Sequence, residues 1–385
     1  MRLRISTFAA ITCCAIAAPG AALGAAHAAE HSQARTTTTT AVLQRQLHAL
    51  VRAGVPGAVL LVKDGHSWAR LAAGTSDVAA GTPMRGDERF KIGSVTKSFV
   101  ATVVLQLVGE GRLRLDAPVG RWLPHVVPNA DHITVRELLR HQSGLFDYFE
   151  DPRSTAPYLA GNFGYVWKPR ALVRIATSHP PLFPPGSAMS YSNTNYFVLG
   201  LLVQRVTGHS LRRELRSRVF RPLRMHATRF PTSQRFGPRL AHGYLWTDGQ
   251  RQDVSPVSQS LGWAAGGAVS SAGDVARFYR GLLHGRLISR ALLRQMQATV
   301  PLAPGAGYGL GLIGVQTPCG TLWGHDGSFA GYLTDALSST AGRHQMVLLM
   351  NQNTFDDLPG SPAAQRAAGR LIQTAACARL GPARP

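Results

Sequence analysis

The chain has 385 residues, 45% hydrophobic and only 16% charged, a balance that excludes a disordered protein and leaves room for one large folded domain or two ordinary ones. The formal charge of +21 raises the question of nucleic acid, but only Lys63, Lys91, Lys97 and Lys168 are lysines; the other 37 basic residues are arginines, scattered without a dense run or a nucleic-acid-binding motif. Arginine-rich coding and solubility account for that charge most simply, with attraction to an anionic cell envelope as the other reading.

The N-terminus reads as a signal peptide over residues 1–28. Arg2 and Arg4 precede a short apolar run from Phe8 to Ala18, and Ala26-His27-Ala28 is a small-residue cleavage pattern. The run is too short to span a membrane comfortably, and no second span follows. An exported, extracellular or cell-wall-associated protein is expected. Cys13 and Cys14 fall in the removed part, so Cys319 and Cys377 remain as an even pair, which in an oxidising compartment suggests a disulfide. Residues 29–40, with Thr36 to Thr40, read as a flexible polar leader.

A helix is expected over Ala41 to Ala53. Gly57 to Lys63 reads as a strand turning at Asp64-Gly65 into a partner, Trp68 to Ala73. Ser94 to Glu110 has the all-round apolar pattern of a buried helix, closed by Gly111. Ile133 to Arg140 and Asn195 to Thr207 are further helices. Strand character returns at Gly309 to Val315, Thr321 to Trp323, Gly331 to Ser338 and Met346 to Asn351, before a last helix from Pro362 to Ala378. The expected fold class is α/β, more closely α+β. One domain over residues 41–380 has a sheet from both chain ends (about 41–90 and 305–378) and an inserted, mainly helical region (about 91–304).

Three short motifs carry chemistry. Ser94-Val-Thr-Lys97 places Ser and Lys one turn apart on one helix face, with Ser94 at the positive helix end. Lys97 can serve as a base if burial lowers its pKa. Alone, the pair would more often be a capping serine and a surface lysine. Tyr191-Ser-Asn193 offers a phenol able to shuttle a proton and an amide able to hold substrate; alone, it would be a loop tyrosine near a helix cap. His325-Asp326-Gly327 offers a polar or positive group facing Tyr191 and a glycine that lets substrate approach a strand edge. The Ser328 N–H there can pair with that of Ser94 as an oxyanion hole. A lone histidine is more often a hydrogen-bonded core residue. No G-x-S-x-G elbow and no H-E-x-x-H metal motif is present, and no cofactor or metal is called for.

In this order and spacing, the motifs resemble those of the serine β-lactamase and penicillin-binding-protein superfamily. Lys91-Ile-Gly-Ser-Val-Thr-Lys-Ser98, Ile133-Thr-Val-Arg-Glu-Leu-Leu139, His141-Gln-Ser-Gly-Leu145, Ser190-Tyr-Ser-Asn-Thr-Asn195 and Tyr308-Gly-Leu-Gly-Leu312 are similar to the class C-like branch. Within it the chain looks most like the secreted D-alanyl-D-alanine carboxypeptidases, over roughly Ala41 to Cys377. The resemblance implies the β-lactamase/transpeptidase-like fold and an acyl-enzyme at Ser94. It also implies a proton relay through Lys97 and Tyr191 and binding of the acyl-side amide by Asn193. Trp263 would be an aromatic wall of the cleft, and Cys319 would bond Cys377. Substrates would be peptidoglycan-like D-amino-acid peptides or small esters, with β-lactams as covalent inhibitors. Two departures stand out. Ile313 occupies the place of an arginine that holds the substrate carboxylate, and Asp326 the place of a threonine. An acid there repels a carboxylate, unless another cation such as Arg153 compensates. Esterase, D-aminopeptidase or D-endopeptidase, β-lactamase and a non-turnover penicillin sensor are the alternatives.

Overall fold

The computed structural model describes residues 27–247, 249–353 and 361–380. Residues 1–26, which hold most of the expected signal peptide, lie outside them. Helix α1 (His27–Arg52) is followed by strands β1 (Gly57–Asp64), β2 (Ser67–Asp77) and β3 (Thr82–Pro83). The short strand β4 (Phe90–Lys91) leads into α2 (Val95–Gly109). Helices α3 (Val135–Leu139), α4 (Pro152–Leu159), α5 (Pro169–Thr177), α6 (Asn193–Thr207) and α7 (Leu211–Leu215) come next. The hairpin β5–β6 (Tyr244–Thr247, Gln250–Asp253), α8 (Trp263–Gly266), β7 (Val269–Ser270), α9 (Ala272–Leu283) and α10 (Arg290–Gln297) complete the central region. The chain then returns to the sheet through β8 (Val300–Ala303), β9 (Ala306–Tyr308), β10 (Ile313–Thr317), β11 (Gly320–Phe329), β12 (Tyr332–Ser339) and β13 (His344–Met350), and closes with α11 (Ser361–Ala376).

The main sheet is antiparallel, ordered β3-β2-β1-β13-β12-β11-β10-β9-β8. Strand β1 shows why this sheet lies between two layers. Ala58, Leu60 and Val62 join a core with Leu43, Leu47 and Leu50 of α1 and Leu371 of α11. Val59 and Leu61, one pleat over, join the larger core beneath the inserted helices. Alternate residues face opposite layers, so a strand covered on both faces must be apolar throughout. Helix α2 is buried from Val95 through Leu105, as its all-round apolar sequence requires.

Several sequence expectations are displaced. Thr36 to Thr40 belong to α1 rather than to an irregular leader; a helix anchored by Leu43, Leu47 and Leu50 extends readily one turn at a time. The strand expected from Gly309 begins only at Ile313. Gly311 adopts φ of 73° and its carbonyl accepts the Ser98 hydroxyl at 2.7 Å, so residues 309–312 form a turn. Strands β8 and β9 carry too little apolar alternation to be read in advance. Among the described residues no helix is long and apolar enough to cross a membrane.

Candidate active site

Ser94 stands at the N-terminus of α2 with helical backbone angles, and its hydroxyl caps nothing. The hydroxyl meets the Lys97 ammonium at 2.9 Å and hydrogen-bonds the Tyr191 phenol. Lys97 is wholly buried. Its Nζ also donates to Asn193 Oδ1 at 2.7 Å and to the Ala265 carbonyl at 2.9 Å. Three acceptors match the three protons of an ammonium. Burial nevertheless pushes the lysine down to about 7, opposed by the charges of Asp147 and Asp326. In the neutral amine, two protons remain for Asn193 and Ala265, and the lone pair faces the Ser94 hydroxyl.

Tyr191 lies over this amine, with Nζ 4.8 Å from its ring centre. Burial, and then the charge of Asp326, push its phenol well above the ordinary value, so the phenol keeps its proton. Asn193, the first residue of α6, bridges: its amide nitrogen donates to Asp147 Oδ2 at 2.8 Å while its oxygen receives Lys97. Asp147 is itself buried, and desolvation raises its carboxyl against the N–H donors that hold it. The sequence reading missed Asp147. It comes from a loop 50 residues after Lys97, with no spacing rule to mark it.

The opposite wall is a free strand edge. Strand β10 pairs only with Gly320 to Gly324 of β11, which leaves His325 to Phe329 unpaired on that side while β12 holds the other. Ser94 is pressed against this edge. A Cβ on Gly327 would lie 2.1 Å from the Ile92 carbonyl and 3.0 Å from Ser94 N, and one on Gly93 would lie 2.6 Å from Ser328 N. Only glycines allow that approach, which brings the backbone at Ser94 and Ser328 close together. His325 is buried, 6.5 Å from Tyr191 between ring centres. Its Nδ1 lies 2.6 Å from the Asp326 carbonyl and so must donate, while Nε2 meets the Tyr308 hydroxyl at 3.0 Å. Asp326 is half-exposed, with a carboxylate oxygen 3.3 Å from His325 Nδ1. Phe149 and Phe329, next along the chain from the Asp147 and Ser328 regions, line an apolar cavity of about 480 Å³.

Two expectations are corrected. The Trp263 ring does not wall the cleft. It is buried on α6, 5.3 Å from Phe197 between ring centres and over Gly200, because α8 starts at Trp263 and turns the indole inward while its backbone presents the Ala265 carbonyl to Lys97. Arg153 is not free to clamp a carboxylate. Its guanidinium grips Asp151 at 2.6 Å and the Ser178 hydroxyl at 2.7 Å. Cys319 and Cys377 are bonded, Cα atoms 5.7 Å apart, and join the β10–β11 turn to the end of α11. Among the described residues no group of three His, Cys, Asp or Glu is placed to hold a metal.

A sheet made from both chain ends, with a serine at the head of a buried helix facing its open edge, defines a class: the serine hydrolases of the penicillin-recognising fold. A family model described as Beta-lactamase matches residues 32–370, and the chain belongs to that family. It is 31% identical to penicillin-binding protein 4 of Amycolatopsis lactamdurans, over 72% of this chain and 76% of that one. It is 39% identical to the esterase EstB of Burkholderia gladioli, over 51% of this chain, and 29% identical to a D-aminopeptidase of Brucella ovis, over 77%. The matched region spans only 52% of the esterase and 56% of the D-aminopeptidase. Among solved structures, a D-stereospecific amidohydrolase from Streptomyces superposes with a TM-score of 0.77 at 36% identity, covering 85% of this chain and 98% of that one. A D-amino acid amidase from Ochrobactrum anthropi in complex with D-phenylalanine gives 0.77 at 28% identity, covering 88% and 98%.

Proposed function

We propose that the protein is an exported hydrolase that cleaves amides and esters of D-amino acids and their peptides through an acyl-enzyme on Ser94. The observation that carries the acyl-enzyme is the 2.9 Å contact between a half-buried serine hydroxyl and a buried lysine amine whose other partners are fixed acceptors. Neutral Lys97 takes the Ser94 proton as Oγ bonds to the substrate carbonyl carbon. The oxyanion is received by the Ser94 and Ser328 amides. The carbon–nitrogen or carbon–oxygen bond then breaks, and the leaving group takes a proton through the Tyr191 phenol, which is replenished from Lys97. Water repeats the sequence to release the acid.

The preference for uncharged leaving groups rests on what surrounds the strand edge. Ile313 is buried in β10, Asp326 adds negative charge, and Arg153 is committed to Asp151. No described cation is thereby assigned to a substrate carboxylate, and loss of a charge-assisted carboxylate contact is expensive. The similarity to a D-stereospecific amidohydrolase and a D-amino acid amidase supports this reading, whereas a strict D-alanyl-D-alanine carboxypeptidase needs that contact. Export rests on the N-terminal pattern, and sequencing the N-terminus of the mature protein tests it. The activity is tested with one D-Ala-ending peptide as free acid, amide and ester. Amide and ester are expected to exceed the acid in kcat/KM by about tenfold, equivalent to about 1.4 kcal/mol of transition-state binding. A wide preference for the free acid overturns the leaving-group reading. Labelling of Ser94→Ala by a fluorescent penicillin overturns the nucleophile.

A further inference from the structure

We infer that His141 positions Tyr191, holding the phenol in register over Lys97 and Ser94. The inference rests on the function proposed above but stands on different contacts. His141 grips the tyrosine from three sides. Its ring lies 4.3 Å from the Tyr191 ring between centres, tilted by 31°. Its carbonyl accepts the N–H of Ser190 at 3.0 Å, and its Nδ1 accepts the N–H of Ser192 at 3.2 Å. Both residues flanking Tyr191 are therefore tied to the residue that packs on its ring. A second donor, Asn195 Nδ2, reaches the same Nδ1 at 3.1 Å, and the Ser143 hydroxyl fixes that asparagine from its other end.

The chemistry of the contact narrows which side chain can do this. A ring nitrogen that receives two hydrogen bonds carries no proton, so His141 is the neutral tautomer with its hydrogen on Nε2. Burial, and then the charge of Lys97, hold it neutral. Phenylalanine would keep the packed ring and lose the acceptor. Asparagine would keep an acceptor and lose the ring. The site also carries two local costs. His141 adopts φ of 60°, a region uncommon for a residue with a Cβ. Its buried Nε2 has no hydrogen-bond partner among the described residues, and an unmet buried donor is destabilising. A histidine kept solely for packing would gain from replacement by an apolar ring. One that must offer ring and acceptor together would not. The edge of the same ring meets Tyr308 at 4.7 Å, the residue bonded to His325, so Tyr191 and His325 are referenced to one rigid centre.

The test uses His141→Phe and His141→Asn, each alone and combined with Tyr191→Phe. Asparagine tolerates the left-handed backbone, which guards against simple misfolding, and a melting curve is recorded for each. The rate of Ser94 acylation by a fluorescent penicillin is expected to fall about tenfold or more in each single variant, within the range of a misplaced proton relay. In the Tyr191→Phe background the further loss should be under about twofold, because both changes disable one relay. Crystal structures supply a readout that needs no turnover: the Tyr191 ring should be displaced from Lys97 in His141→Asn. Equal losses in both backgrounds, or a Tyr191 ring unmoved in that variant, overturn the positioning role. Failure of the unmodified protein to acylate at Ser94 overturns the proposed function instead, and the ring position still decides the inference about His141.

Discussion

Lys97 shows how a single residue changes meaning with its surroundings. In the sequence it is one of four lysines, set apart by a serine three positions earlier. In the structure its amine is desolvated, and desolvation favours the uncharged form. Activity that requires neutral Lys97 is expected to rise with pH and level off above about 7, with kcat/KM falling about tenfold per unit below that value. A profile still rising through pH 10, as for an ordinary lysine, would remove Lys97 from the role of base. Asp147 favours the charged amine through space. Asp147→Asn is therefore expected to move the acid limb to lower pH, and a limb that stays in place would show that the carboxylate acts only by holding Asn193. The serine–lysine pair was legible because one helical turn relates them. Asp147 was not, because a loop far along the chain brings it to the pair; His141 stood in a family-like segment, but its grip on Tyr191 was not legible because only the fold brings the two together.

Strand β11 governs the next scale. Its register puts Asp326 directly opposite Asp335 of β12, and like charges facing across strands repel. Burial and that neighbour raise the Asp335 carboxyl to about 7, against about 4 in an unfolded chain. Between those values the folded protein holds a proton that the unfolded chain has released. Stability therefore falls as pH rises through the window, and the cost is complete above it. Asp335→Asn is expected to melt above the unmodified protein at pH 8 and level with it at pH 4. Thermal melts at the two pH values check this, and an equal shift at both would assign the effect to packing rather than charge. The late strands were visible as apolar segments. A strand edge at Gly327 was expected, but its extent was not legible: the edge runs from His325 to Phe329 because β10 begins only at Ile313, opposite Gly324.

At the scale of the whole molecule, residues from the two ends of the chain share the sheet and its outer core. Helices α1 and α11 cover the outer face, and the Cys319–Cys377 bond ties α11 to the β10–β11 turn across a separation of 58 residues. A closed loop of that size constrains the unfolded chain by about 4 kcal/mol in the chain-entropy model. Replacing both cysteines by serine is expected to lower stability by up to that amount, read from denaturant midpoints, with penicillin acylation at 25 °C little changed because the bond lies on the far layer from Ser94. A variant that keeps its stability but loses acylation would reverse that picture.

Local pattern by itself determined the sheet–helix–sheet order, the buried helix behind Ser94, the one-turn spacing of the serine and lysine, and three motifs whose joint order pointed to one family. The elements and each motif depend on neighbours within a few residues, where side-chain period and helix geometry leave little freedom, and the order of the motifs is read directly along the chain. Tertiary structure alone decided that Trp263 turns into the core, that Arg153 is spent on Asp151, that Asp147 supports Asn193, and that His141 grips Tyr191. Each of those outcomes depends on which distant groups meet a side chain once water is excluded. A buried polar atom must find its partner wherever the fold supplies one, and sequence separation says nothing about where that is.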